Sequence, residues 1–174
     1  FKQLSSRLME AMSNGGPAAA IGVCSLEAPQ IAAKVGREHD VAIGRTSFQL
    51  RNPTNPPPAW ASQLVEQRHE QPAFVDLPEG RLGALLPIRL KAQCLTCHGP
   101  SDQIAEAVQE KLAELYPEDR ATGFREGDLR GWFWVEVPAA NAPAGAAGAL
   151  GSEPHDAFVG FDRLYIPALA LTKE

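Results

Sequence analysis

Cys94-Leu95-Thr96-Cys97-His98 constrains this chain more than any other stretch of it. C-x-x-C-H is the covalent attachment signature of c-type haem, and the chemistry needs each residue. One thiol from each cysteine adds across a porphyrin vinyl group, the two intervening residues set the reach, and the adjacent histidine falls under the iron as an imidazole ligand. Two other chemistries use a C-x-x-C pair. A zinc tetrahedron would need a second C-x-x-C or an H-x-x-x-H, and neither follows. A thioredoxin-type disulfide would not require the trailing histidine. The expectation is one covalent haem c, with Cys94 and Cys97 as thioether positions and His98 as proximal iron ligand.

The remainder of the sequence bounds where such a group can sit. At 174 residues the chain can bury one core, so a single domain is expected. A formal net charge of −5 with no Lys/Arg cluster argues against nucleic acid as a partner. Apolar runs are short and interrupted, as at Ala84-Leu85-Leu86-Pro87-Ile88, so no membrane span is expected. The chain opens at Phe1 without a signal-peptide apolar region and reads as a mature or trimmed soluble portion. Covalent haem c is assembled outside the bacterial cytoplasmic membrane, so the motif itself implies an exported, periplasmic protein.

Three cysteines leave Cys24 unpaired. A buried, inert thiol is one reading; a thiolate serving as sixth iron ligand is the other. Competing sixth ligands are Met9 and Met12, which fit a first helix as core residues, and His39, His69 and His155. His39 falls in a polar turn and His69 at a charged helix end, as surface histidines do. An open or water-bound position is a further alternative. Haem propionates need cationic or hydrogen-bonding partners; Arg45, Arg51 and Arg130 are candidates, and Trp60, Trp132 and Phe133 are candidate walls.

Periodicity sets the order of elements. Residues 2–12 are helical, with Leu4, Leu8 and Met12 on one face. Asn14-Gly15-Gly16-Pro17 breaks that helix, and a second runs from Ala18 to Val35 with a kink at Pro29 and a stop at Gly36. Val41 to Leu50 suits a strand, 52–58 a loop, and Trp60 to Arg68 a short helix. Ala73–Leu77 and Arg81–Leu90 flank Pro78-Glu79-Gly80 as a hairpin leading into C-x-x-C-H. Ser101 is the expected cap of a helix with Ile104, Val108, Leu112 and Leu115 as its stripe, ended by Pro117. After a charged loop, Gly131 to Val137 is the last strand. Residues 139–152 are an Ala/Gly-rich linker, and the tail from Pro154, with Phe158, Phe161, Tyr165 and Ile166, is expected to dock back. The fold class is α+β around an antiparallel sheet. A small all-helical cytochrome c would carry its motif near the N-terminus instead.

Several stretches in one order resemble a known family. They are Val23-Cys24 before Ala28-Pro29-Gln30-Ile31-Ala32, Ile43-Gly44-Arg45-Thr46-Ser47 leading into Leu50-Arg51-Asn52-Pro53, and Ala59-Trp60. Cys94 to Gly99, Tyr116-Pro117 and Gly127-Asp128-Leu129-Arg130-Gly131 complete the set. Together they resemble the Tll-like single c-type haem domain family, formerly a domain of unknown function, over about residues 20–138. The resemblance implies a PAS-like antiparallel sheet with N-terminal helices (2–36) packed around the haem, in a domain spanning 1–138. Residues 139–174 then form the linker and a C-terminal extension. It also implies that Cys24 is the distal iron ligand, and that the chain pairs as a homodimer through its helices.

Cys/His ligation favours ferric iron and a low potential. The first functional expectation is a periplasmic monohaem cytochrome acting as a redox or diatomic-gas (CO or NO) sensing module, in which Cys24 is released on reduction or protonation. The alternative is a low-potential electron-transfer cytochrome working with a redox partner protein. A haem enzyme such as a peroxidase is the weakest reading, because the sequence places no His/Arg pair in a distal pocket.

Overall fold

The computed structural model describes residues 2–141; the expected linker from 142 onward and the tail lie outside the described residues. The first helix, α1 (Lys2–Gly22), is not one rod, because Gly16 at φ 73°, ψ −175° breaks it just ahead of Pro17. Glycine adopts this φ without a steric penalty, and proline suits the first turn of the helix that resumes. The chain reverses there. Arg7 and Glu27 are 20 positions apart, which in continuous helix is about 30 Å, yet their side chains meet at 2.6 Å. Leu4, Ala11, Ala20, Val23 and Ala28 fill the seam of this helical hairpin, with Leu8, Met12 and Ile31 against them.

A π-helical turn, Val23–Glu27, then precedes α2 (Ala28–His39). The irregularity expected at Pro29 therefore appears one turn earlier. A proline ring collides with the carbonyl four residues back, here Ser25, and offers no N–H to it. The backbone widens instead, and the Ala28 N–H reaches back to Val23 O. Gly36 does not stop the helix as expected. α2 runs to His39, and Asp40 at φ 51° takes the left-handed cap, so the N-terminal helices extend past residue 36. Gly36 answers a close approach: the Val41 N–H donates to its carbonyl at 2.9 Å, and a Cβ there would lie 2.7 Å from Val41 O.

Four strands form one antiparallel sheet, β1 (Ala42–Thr46), β2 (Ala73–Asp76), β3 (Leu82–Arg89) and β4 (Leu129–Val137), in the order β1-β4-β3-β2. β2 and β3 are the hairpin expected around Pro78-Glu79-Gly80. Pro87 in β3 lies beyond the last β2 pair, Ala73↔Leu85, so its missing N–H costs no bond to β2. Residues paired across strands share a face. One face carries Leu85, Trp132 and Trp134 against Ala61, Val65 and Leu64, from a single 3-10 turn and α3 (Ser62–Glu66). On the other face, α2 crosses β1, with Ile43 Cγ2 3.7 Å from where a Gly36 Cβ would stand. Arg45, paired with Phe133, shares that face.

The C-x-x-C-H segment forms a 3-10 turn, Ala92–Cys94, running into α4 (Leu95–His98). Ser101 does not cap the next helix. Residues Ser101–Gln103 make their own 3-10 turn, Ile104 is extended, and α5 (Glu106–Leu115) starts after Ala105. Val108 and Leu112 still form its buried stripe, and Ile104 is buried beside them. Among the described residues no helix is long and apolar enough to cross a membrane.

A candidate cofactor site at the C-x-x-C-H turn

β3 delivers the motif to the loop that precedes β4. Leu90 donates to Asp128 O at 3.0 Å and accepts from the Gly127 N–H at 2.8 Å. Cys94 and Cys97 then occupy one helical turn, three positions apart, which puts them on one side. Cys94 and Leu95 pack with Leu90, Ala121 and Phe124. Cys97 packs with Ile21 of α1 and with Ile104, Val108, Leu112 and Tyr116.

The loop of residues 119–124 fixes the histidine. His98 Nδ1 lies 2.7 Å from Ala121 O. A carbonyl only accepts, so Nδ1 carries the proton and Nε2 keeps a lone pair. Arg130 Nε at 3.3 Å from the same nitrogen cannot donate to it at the same time and is the lesser contact. Burial, reinforced by Arg51 and Arg130, pushes His98 well below the usual imidazole range and keeps it neutral. The Phe124 ring meets the imidazole edge-on at 6.4 Å, and the Phe124 N–H donates to His98 O at 3.0 Å.

The three arginines come to the site with separate tasks. Arg51, only 10% exposed, donates through Nε to Asp119 Oδ2 at 3.0 Å. Its Nη2 donates to Ala121 O at 3.2 Å and to Cys97 O. Asp119 in turn accepts the Ala121 N–H at 2.7 Å. Arg130 Nη1 donates to Ser47 Oγ at 2.8 Å and Gln49 O at 3.0 Å. Burial, with Arg51 nearby, brings Arg130 down to about 10, still cationic at neutral pH. Arg45 lies close enough to Cys24 for its charge to favour the thiolate. Asp119, Ala121, Phe124 and Ser47 went unnoticed in the sequence, where the first three sit in what reads as a solvated, charged loop.

Cys24 stands on the π-turn, one helical turn after Ile21, whose side chain shares the cluster that holds Cys97. Burial raises its thiol, and Arg45, Arg51 and Arg130 pull it back. Burial raises the Cys97 thiol as well, and Cys24 is close enough to add to that rise. Burial raises the Tyr116 hydroxyl, which lies near enough to Ser25 and Cys24 to feel both.

Other candidates fall elsewhere. Met9 is 51% exposed, Met12 packs in the helical hairpin, and His39 is exposed at the end of α2. His69 lends its carbonyl to Trp132 Nε1 at 2.8 Å, and His155 lies outside the described residues. Trp60 and Trp132 pack with α3 on the opposite face of the sheet and so do not wall this site; Phe133 shares the face of Arg45.

The donor set fits a porphyrin held through thioethers. Two thiols lie a helical turn apart, beside a neutral imidazole whose outer nitrogen is available and a third thiol from a separate helix. Comparison with known proteins supports haem as the group. The sequence matches the family described as Tll0287-like over residues 2–138. A solved structure of the cyanobacterial heme-protein Tll0287 is similar at 32% identity and a TM-score of 0.52, covering 63% of this chain and 68% of that one. No curated protein matches. The α+β architecture, with helices ahead of an antiparallel sheet, is the PAS-like arrangement expected from the motifs. On a match running from the first helix to the end of β4, the chain belongs to the Tll0287-like family.

Proposed function

We propose that this chain is an exported, non-enzymatic protein carrying a single c-type haem, ligated by His98 and Cys24, that responds to redox state or to a diatomic gas. Haem, when bound, would supply a one-electron couple and a coordination position that a ligand can contest. The observation that carries the reading is the convergence of Cys24 with the C-x-x-C-H turn from 70 residues away in sequence, with Ile21, one turn before it, packed in the cluster that holds Cys97.

The residues have distinct parts. Cys94 and Cys97 provide the thioether attachments. Ala121 O holds the His98 tautomer, so that Nε2 faces outward as a donor, the usual outer-shell arrangement of a metal-binding histidine. Arg51 pins the carbonyl of Cys97 and the carbonyl that holds His98, tying both to Asp119. Cys24 is carried by a π-turn, a form of helix that recurs at functional sites. Release of its sulfur would free that turn to move α2, which rests on the edge strand β1. Such a two-state element is what a signal requires. Export follows from the chemistry of covalent attachment, which takes place outside the cytoplasmic membrane.

Optical and EPR spectra of the wild-type and Cys24→Ala proteins, ferric and dithionite-reduced, with and without CO, test the proposal. A low-spin ferric thiolate spectrum that is lost in Cys24→Ala, with a CO adduct on reduction, is the expected result. Identical spectra from the two proteins would remove Cys24 from the iron. A six-coordinate reduced form that ignores CO would turn the reading to low-potential electron transfer with a partner protein.

A further inference from the structure

We propose that Arg51 is a positioning residue for His98: its guanidinium shares the Ala121 carbonyl with the imidazole and so sets how strongly that imidazole can donate to iron. The inference rests on the reading of His98 as an iron ligand given above.

Four hydrogen bonds carry it, and three of them close a ring. The Ala121 carbonyl accepts from His98 Nδ1 at 2.7 Å and from Arg51 Nη2 at 3.2 Å. Arg51 Nε donates to Asp119 Oδ2 at 3.0 Å. Asp119 Oδ1 accepts the Ala121 N–H at 2.7 Å, which returns the ring to the residue where it began. Both charged members are almost fully buried, so water competes little for these bonds. The loop is tied down from outside as well. The Phe124 N–H donates to His98 O at 3.0 Å, and the Arg120 N–H donates to Leu50 O, next to Arg51, at 3.0 Å. Arg130, the other cation beside the imidazole, directs Nη1 to Ser47 and Gln49 instead.

A carbonyl that accepts the outer N–H of a metal-bound imidazole raises the basicity of the ring and strengthens its donation to the metal. A second donor on the same oxygen works against this, and a guanidinium is a strong one because it carries full charge. The oxygen has two lone pairs, so both bonds form, each weaker for the presence of the other. Arg51 therefore holds back the polarisation of His98 by Ala121, and removing it should make the imidazole a better donor. Better donation favours ferric iron and lowers the reduction potential. Losing a cation beside the imidazole would lower the potential too, by charge alone. The proton on His98 Nδ1 separates the two effects, because only release of the shared carbonyl strengthens its hydrogen bond.

The experiment uses the haem-loaded full chain with and without Arg51→Met. The His98 Nδ1 proton is followed by NMR on protein isotope-labelled at histidine, reduced and bound to CO, in a Cys24→Ala background that leaves the distal position to CO. Reduction potentials are measured with and without Cys24→Ala. Arg51→Met is expected to move the Nδ1 proton downfield, the sign of a stronger hydrogen bond, and to lower the potential. An upfield shift, or loss of the signal to exchange with water, would show that Arg51 only props up the loop and would overturn the inference. A lower potential with the proton unmoved would assign the effect to charge and overturn it as well, as would no change in either. If no histidine ring carries the haem ring-current shift before Arg51 is replaced, the ligand assignment fails and the inference goes with it. Should Arg51→Met not retain haem, Arg51→Met/Asp119→Leu, in which no charge is stranded, carries the comparison.

Discussion

Replacing Arg51 with methionine tests whether the site depends on a buried ion pair. Arg51 and Asp119 are each 10% exposed and meet at 3.0 Å. Removing one member of a buried pair costs about 3–5 kcal/mol, because the other charge is stranded. Asp119 keeps the Ala121 N–H, which puts this term near the lower end, at about 3 kcal/mol. The carbonyls of Cys97 and Ala121 lose a charged donor, adding up to about 1 kcal/mol each where water does not replace it. A loss of about 4 kcal/mol is expected, against a total of about 5–15 kcal/mol for a domain. At about 2–4 °C per kcal/mol for a chain of this size, the Tm should fall by about 8–16 °C. With a slope near 2 kcal/mol per molar urea, the midpoint should drop by about 2 M. Urea titration followed by far-UV circular dichroism measures this, and the haem-to-protein absorbance ratio reports attachment, which should fall because Arg51 pins the Cys97 carbonyl. Arg51→Met/Asp119→Leu should regain much of the loss, since no charge is then stranded. A single-variant loss below about 1 kcal/mol, or a double variant no more stable than the single, would refute the reasoning.

Two further outcomes follow from particular residues. Gly131 has φ 154°, and a Cβ on it would stand 2.3 Å from Thr46 O. Gly131→Ala should therefore cost about 3 kcal/mol or more through strain and overlap at the β1–β4 junction, and a urea midpoint equal to wild type would contradict this. His98 is held neutral in the fold, well below the imidazole value of the unfolded chain. Below about pH 6.5 the unfolded state takes up a proton that the folded one refuses, so stability is full above that pH and falls as pH drops through it. The haem-free protein should lose up to about 1.4 kcal/mol per pH unit from this source between about pH 6.5 and 5.5. His98→Gln should flatten that slope, and an unchanged slope would assign it to another group.

What could be read from the sequence follows the range of the interactions involved. The hairpin at Pro78-Glu79-Gly80, the break at Gly16 and the C-x-x-C-H turn are local, and turn chemistry or spacing announces them. Gly36 and Ser101 misled because each is a sound local signal overruled by its near neighbours: α2 runs on past Gly36 to a left-handed cap at Asp40, and Ser101 opens a 3-10 turn that ends at the buried, extended Ile104. The loop around Asp119 was opaque for a different reason. Glu118, Asp119 and Arg120 look like solvated charge, and only the arrival of Arg51, 68 positions earlier in sequence, turns Asp119 into a buried partner. Cys24 was visible as a candidate through cysteine count and family resemblance, and Pro29 announced a nearby irregularity without revealing that it takes the form of a π-turn carrying Cys24.

These long-range pairings explain why the motif lies past mid-chain. β3 must pair with β4 for Leu90 to run beside Gly127 and Asp128, which brings the loop carrying Ala121 over His98. β1 must pair with the same strand, β4, for Arg45 to face Phe133 and lie under the helices. The helical hairpin must close, with Arg7 on Glu27, for the π-turn to carry Cys24 toward Cys97. An N-terminal C-x-x-C-H would precede every one of these surfaces in the chain. Placed after the second hairpin strand, the motif lands where β4, the loop before it and the N-terminal helices converge, so the histidine and the distant cysteine are positioned by the same sheet pairings that hold the domain together.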